Sequence, residues 1–309
     1  MENVKNIKKI DIHAHANPNK EFSPALLEVN EKILSPEEVI EIYDKINVET
    51  GVLLPLVDPA CQPTIIMTSE DCKRMSDASN GRFAWFCNVS PYALTNTPDA
   101  DLSYLLNHYK SLGAKGVGEV TTQLFADDPM MDNLFGHCAK CDMPVIIHIA
   151  PKVGGYYGIV DDLHLPRIEK MLKKHPDMKL IGHSQCFWSE ISSDVTDETR
   201  MIYPQGNVKD GTIARLMREY GNLHCDLSAG SGANAMMRDR EYAARFMEEF
   251  ADRIYYGCDI CVSISDFQYR FSDFLIDMVK DGYLTKENYI KIVRNNAAKL
   301  LGLEEYKGD

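Results

Sequence analysis

The chain alternates short apolar runs with amphipathic stretches eight times, and this alternation limits its fold more than any other feature. Ile10–His15 reads as the first strand, followed by a helix with Ser35 as N-cap, Pro36 in its first turn and Glu38 closing a capping box. Gly51–Val57 reads as the second strand, and a helix capped by Ser69 runs to a stop at Asn80-Gly81. Strand and helix then pair at Arg82–Val89 with Asp101–Leu112, Ala114–Val120 with Met131–Cys141, and Pro144–Ile149 with Leu165–His175. Lys179–His183 is followed by Ile213–Tyr220, and Leu223–Leu227 by Asn234–Asp252. Ile254–Asp259 closes the series, with helices over Phe267–Lys280 and Lys286–Leu301. Strands separated by helices pair in parallel, and eight such units in 309 residues fit one α/β fold, a closed (β/α)8 TIM barrel. A doubly wound open sheet fits less well, because no glycine-rich phosphate loop follows the first strand. With no linker or composition break, residues 1–309 read as a single domain.

Chemistry in such a barrel gathers at the C-terminal ends of the strands. The first strand ends Asp11-Ile12-His13-Ala14-His15, and strand alternation points His13 and His15 to one face, where both can hold one metal ion. The fourth ends Gly116-Val117-Gly118-Glu119, the fifth reaches His148 after an apolar run, the sixth ends Gly182-His183 and the eighth Cys258-Asp259. Ionisable groups crowded into one cleft are costly to leave uncompensated. A divalent cation supplies the compensation.

His13, His15, Glu119, His148, His183 and Asp259, in this order, resemble the amidohydrolase superfamily of metal-dependent barrels. The closer resemblance is to its amidohydrolase 2 branch, which includes aminocarboxymuconate-semialdehyde decarboxylase-like enzymes and related lactonases. The run Glu287–Leu303 is similar to the helix that closes that branch, so the likeness extends over nearly the whole chain. The resemblance implies two arrangements. In one, His13, His15, His148 and Asp259 hold a single ion and His183 polarises the substrate. In the other, Glu119 bridges two ions, with His13, His15 and Asp259 on one and His148 and His183 on the other, a pattern similar to TatD-type hydrolases. Zinc is the expected metal and manganese the alternative, one or two ions per chain.

The expected activity is hydrolysis of a lactone, ester or amide, with Asp259 and His183 as catalytic groups. Decarboxylation or hydration of a small unsaturated or aromatic acid would use the same residues. A catalytically dead barrel that only binds is a third possibility, opposed by the complete ligand set. In the loops, Pro151–Gly158 offers tyrosines for a pocket, Ser184–Gly211 reads as a lid or substrate-facing insertion, and Ser228–Ala233 as an anion-binding or simply tight turn. Lys152, Arg200 and Arg238 are the candidate carboxylate partners. The pairs Cys138–Cys141 and Cys258–Cys261 stand too far apart in sequence for a zinc ribbon, and Cys258 is a candidate for oxidation. His108, His137, His164, His175 and His224 carry no expected role.

Composition narrows the partners. Lys+Arg number 33 against 46 Asp+Glu, a formal net charge of −13, which opposes binding to nucleic acid or an anionic membrane. It also counts against the nuclease members of the TatD type. The expected partner is a small-molecule substrate, with a homo-oligomer compatible with the sequence. No apolar stretch reaches membrane-spanning length and the N-terminus lacks an export signal, so a cytoplasmic protein with reduced thiols is expected.

Overall fold

The computed structural model describes residues 4–26, 30–58, 67–263 and 266–308. β1 (Lys9–Ala14) leads to α1 (Pro36–Ile46), where the Ser35 hydroxyl accepts from the Glu38 N–H and the Glu38 carboxylate accepts from the Ser35 N–H. β2 (Val48–Leu53) is followed by α2 (Ser69–Ala78), β3 (Phe83–Trp85) by α3 (Ser103–Ser111), and β4 (Val117–Val120) by α4 (Pro129–Lys140). β5 (Val145–Ala150) precedes a short strand, β6 (Ile159–Val160), and α5 (Pro166–Lys174). β7 (Leu180–His183) leads into α6 (Gln185–Ser189) and α7 (Thr212–Glu219), and β8 (Leu223–Asp226) into α8 (Ala229–Met237) and α9 (Arg240–Phe250). β9 (Ile254–Tyr255) precedes α10 (Asp266–Lys280), α11 (Lys286–Ile290) and α12 (Asn296–Leu301).

Two parallel sheets, β1-β2-β3 and β4-β5-β7-β8-β9, make up the core, with β6 paired to β5 off the main path. Their edges meet on both sides. Cys87 bridges Val117, with the Cys87 N–H donating to Gly116 O at 2.9 Å and the Gly118 N–H to Cys87 O at 2.8 Å. Ala14 bridges Ile260, with the Ile12 N–H donating to Tyr256 O at 3.0 Å and the Asp259 N–H to His13 O at 2.9 Å. The described strands other than β6 therefore close into one ring of parallel neighbours, the α/β TIM barrel that the alternation implies.

Ile10 and Ile12 pack with Val52, Leu54, Phe86, Ile146 and Ile181 in one buried cluster. Side chains from so many neighbouring strands meet only inside the ring. The β1–β2 ladder is irregular between Asp11 and Ala14, so inward-facing positions shift from Ile10 and Ile12 to His13 and His15. A larger cluster, including Leu134, Phe135, Leu172, Leu216 and Phe246, fills the layer between strands and helices. No helix among the described residues is long and apolar enough to cross a membrane.

Element ends differ from expectation for local reasons. The second strand starts at Val48 and stops at Leu53, ahead of Pro55, which has no N–H for a ladder. Thr68, not Ser69, caps α2 and forms a capping box with Asp71. The helix expected over Asn234–Asp252 is divided into α8 and α9 by Asp239, whose carboxylate accepts from the Tyr242 N–H at 3.0 Å and the Val208 N–H at 2.8 Å. Ser184–Gly211 is anchored at its start, where α6 and the turn after it bury Cys186, Phe187, Trp188 and Ile191 in the core, while Ile202 and Tyr203 farther along stay exposed. The Trp188 indole N–H donates to Asp226 O at 2.9 Å, tying that segment to β8.

Candidate metal centre

Ring closure brings all six expected residues to one rim. His13 lies in β1 with His15 just after it, Glu119 is in β4, His148 in β5 and His183 ends β7, while Asp259 lies beyond β9 at a φ of 52°. Gly118, before Glu119, has φ +133°, and a Cβ there would lie 2.6 Å from Ile146 O, so only glycine lets β4 approach β5 this closely. His13, His15, Glu119 and His183 are buried, whereas the Asp259 side chain keeps 24% of its surface open.

Four donor atoms converge around the ends of β1. His13 Nε2 and His15 Nε2 lie 3.2 Å apart. Glu119 Oε2 is 3.7 Å from the first and 3.5 Å from the second, and Asp259 Oδ1 is 3.6 Å from each. Ligands at about 2.0–2.1 Å around a tetrahedral ion stand roughly 3.3 Å from one another. These separations, 3.2–3.7 Å, bracket that edge length, so the donor set fits a divalent cation. Glu119 also faces a second group. Its Oε1 accepts from the His148 Nδ1–H at 2.7 Å and lies 3.9 Å from His183 Nε2, which is 3.8 Å from Asp259 Oδ2. The carboxylate thus presents one oxygen to His13 and His15 and the other to His148 and His183. The triads His13-His15-Glu119, His13-His183-Asp259 and Glu119-His148-His183 each bring ligand atoms within 4.8 Å of one another.

The surrounding hydrogen bonds set which nitrogen each histidine offers. His15 Nδ1 lies 3.0 Å from Leu54 O, which only accepts, so the proton is on Nδ1 and the Nε2 lone pair is free. Asp226 does the same for His13, accepting from Nδ1–H at 2.7 Å. Its Oδ2 also accepts from the Ser228 hydroxyl at 2.9 Å. That hydroxyl has one proton, so toward His183 Nδ1, 2.9 Å away, it accepts, which makes Nε2 the nitrogen this ring offers to a ligand. Sequence reading assigned Asp226 no role. It is completely buried at the end of β8, and a Cβ on Gly257 would lie 2.3 Å from its Oδ1, so glycine is required there. A strand-end carboxylate in Leu223-His224-Cys225-Asp226 was the available signal, although nothing local distinguishes it from Asp259.

Charge in the cluster is balanced among carboxylates and imidazoles. Burial opposes a charged His13, but facing Asp259 and Asp226 outweigh it and raise its pKa well above the ordinary value. Burial would also raise Glu119, yet His148, His13 and His15 hold it well below the usual carboxylate range. For His148, burial wins and lowers the pKa despite Glu119. Among the described residues, every ion-pair partner of Glu119, Asp226 and Asp259 is a histidine. A cation at their centre therefore meets no competing lysine or arginine.

The other expectations separate. The Tyr157 ring packs on His148 with centroids 4.3 Å apart, whereas Lys152 lies over Tyr156. Arg200 is buried away from the cluster and donates to Asp161 O at 3.2 Å, and Arg238 forms the C-cap of α8. The Ser228 N–H is taken by Asp226 Oδ1 at 2.7 Å, so that turn is tight and does not offer this amide to an anion. Cys138 and Cys141 are buried free thiols. Cys258 is buried too, and burial with neighbouring Asp11 pushes its thiol well above the ordinary range, against oxidation there. His164 Nδ1 faces Glu190 at 3.2 Å, outside the cluster.

Residues 10–303 match the model of a family described as amidohydrolase. Among solved structures, an amidohydrolase from Burkholderia multivorans with bound zinc aligns with a TM-score of 0.63 at 11% identity, covering 96% of this chain and 100% of that one. A dihydroxybenzoic acid decarboxylase from Polaromonas with bound manganese and 2-nitroresorcinol aligns at 0.57 and 16% identity, covering 96% and 97%. A probable 2-pyrone-4,6-dicarboxylic acid hydrolase from Acinetobacter baumannii with citric acid aligns at 0.53 and 13%, covering 96% and 100%. At these identities the likeness establishes the barrel. No curated protein matches the chain.

Proposed function

The chain belongs to the amidohydrolase family, and from that premise we propose that it is a metal-dependent hydrolase of a small lactone, ester or amide, acting at a two-ion site bridged by Glu119. The observation that carries this reading is the two-sided Glu119 carboxylate, Oε2 toward His13 and His15 and Oε1 toward His148 and His183. His13, His15 and Asp259 would complete one ion's ligands, and His148 and His183 the other's. A bound divalent cation supplies Lewis acidity toward a carbonyl oxygen and brings the pKa of a water from 15.7 to about 7. Zinc suits the imidazole-rich set, with manganese as the alternative.

The chain's own groups do the rest. Asp259, the most open carboxylate of the cluster, takes the proton of the attacking water at its carboxylate and returns it to the leaving group. His183 is held by Ser228 with Nε2 toward the reacting centre, and Asp226 fixes His13 in the complementary tautomer. Tyr157 closes one side of the cleft against His148. The eight described cysteines are all free, in keeping with a cytoplasmic enzyme.

A lyase acting on a hydroxylated aromatic acid is the second reading, supported by the aromatic face of Tyr157 and by the decarboxylase named among the structural neighbours. One experiment separates them. Metal-loaded protein is assayed on lactones, esters, amides and dihydroxybenzoates, following acid release and carbon dioxide separately. Metal-dependent acid release is expected. Carbon dioxide release with no hydrolysis would replace the hydrolase reading by the lyase one.

A further inference from the structure

The opposite end of the barrel holds a cavity of about 1160 Å³, at or above the roughly 300–1,000 Å³ of typical small-molecule sites. Lys115, Pro144 and Lys179 come just before β4, β5 and β7, and His224 and Tyr255 belong to β8 and β9, so the cavity opens at the strand N-termini. The metal cluster lies at the other ends of these strands. No residue lines both.

Charge marks this cavity out. The chain has 33 Lys+Arg and 46 Asp+Glu, yet seven lysines and four carboxylates line this wall. Of the carboxylates, Asp252 and Glu287 are already engaged by Lys291 at 3.0 and 3.7 Å. Lys115, Lys179 and Lys299 have no ion-pair partner among the described residues, leaving their charge available. Among the described residues, no arginine lines the cavity. The positive charge is therefore presented by lysine ammonium groups, which bind phosphate as point charges.

The floor is polar but uncharged. His224 and Tyr255 are 8% and 2% exposed, their rings stack at 5.7 Å, and the Tyr255 hydroxyl lies 3.3 Å from His224 Nδ1. Burial, with Lys179 and Arg253 adding to it, pushes His224 down to about 3, so this imidazole is neutral at pH 7. Pro144, Ile290 and Leu300 add apolar wall. The outer wall is fixed as well, since the Tyr306 N–H donates to Asn295 Oδ1 at 2.8 Å and Asn295 Nδ2 donates to Tyr306 O at 3.1 Å.

The geometry points to a second ligand site here, for a small organic molecule carrying phosphate groups, with its anionic oxygens on Lys115, Lys179 and Lys299 and its uncharged body on His224, Tyr255 and Leu300. It is independent of the hydrolase reading. Calorimetric titration of metal-loaded protein with ADP and with inorganic pyrophosphate tests it. One saturable site per chain is expected, weakened about tenfold or more by Lys115→Gln/Lys179→Gln/Lys299→Gln. These side chains are exposed, so melting temperature and metal content should match wild type. Lys170→Gln/Lys209→Gln, on other faces, should leave affinity unchanged. Failure of both probes to saturate up to about 10 mM overturns the proposal. Equal affinity in the triple variant does so too, placing the probe at the metal rim.

Discussion

The two halves of the metal cluster share Glu119 but are prepared differently. In the β1 half, His13 and His15 each donate Nδ1–H to a fixed acceptor, and their Nε2 atoms face each other 3.2 Å apart, close enough to share a proton or to hold a cation in its place. Two lone pairs at that distance repel unless a proton or a cation lies between them. In the β5–β7 half, His148 donates to Glu119 Oε1 at 2.7 Å, and only His183 is prepared in the first manner. The first half is organised as a cation cage by groups outside it. The second must exchange a hydrogen bond for a ligand bond. Preorganisation is what makes a metal site tight, so the halves should differ in affinity, the β1 half filling first.

The largest effect expected is for His13→Ala/His15→Ala, which removes the prepared donors. Bound metal should fall below stoichiometric by elemental analysis and hydrolysis to background, with the helical circular dichroism retained. Stoichiometric metal in that variant would refute their ligand role. Asp259→Asn should come next, abolishing turnover while leaving the fold intact, and an active variant removes Asp259 from the mechanism. Glu119→Gln then tests the bridge. Wild type should bind about two ions and the variant fewer. A wild-type value near one, unchanged by the substitution, sinks the two-ion arrangement and leaves the contrast between the halves without consequence.

Much of this contrast could be read in the sequence only in outline. The ligand candidates were visible because an apolar strand ending in an ionisable residue marks the rim of a barrel, as in Ile146-Ile147-His148 and Ile181-Gly182-His183. The pairing of His13 with His15 followed from alternation, though a ladder irregularity before Ala14 is what turns them inward after Ile10 and Ile12. Asp226 was not legible. Its role exists because ring closure sets β8 two strands from β1, and only there do His13 Nδ1 and Ser228 Oγ converge on one carboxylate oxygen. The nitrogen each histidine offers was hidden for the same reason, being decided by distant acceptors such as Leu54 O. Ser184–Gly211 looked like a loop by length, but Phe187 and Trp188 carry its start into the core.

Asp226 and Ser228 give the finest test, since they touch the two halves unequally. Asp226→Asn keeps the shape but exchanges a carboxylate oxygen for an amide nitrogen next to His13 Nδ1–H or Ser228. One of those donors loses its acceptor, and affinity for the first ion should fall about 10–100-fold in chelator competition. Ser228→Ala removes the hydroxyl 2.9 Å from His183 Nδ1, but leaves the direct 3.4 Å approach of Asp226 Oδ2 to that nitrogen and the His13 bond at 2.7 Å untouched. Its effect should be smaller, a few-fold, and confined to the second ion. Gly257→Ala, whose Cβ would press on Asp226 Oδ1, should repeat the Asp226→Asn pattern in weaker form. If Ser228→Ala instead loosens both ions equally, then Asp226 does not hold the halves separately, and the difference in their preparation has no bearing on how they bind metal.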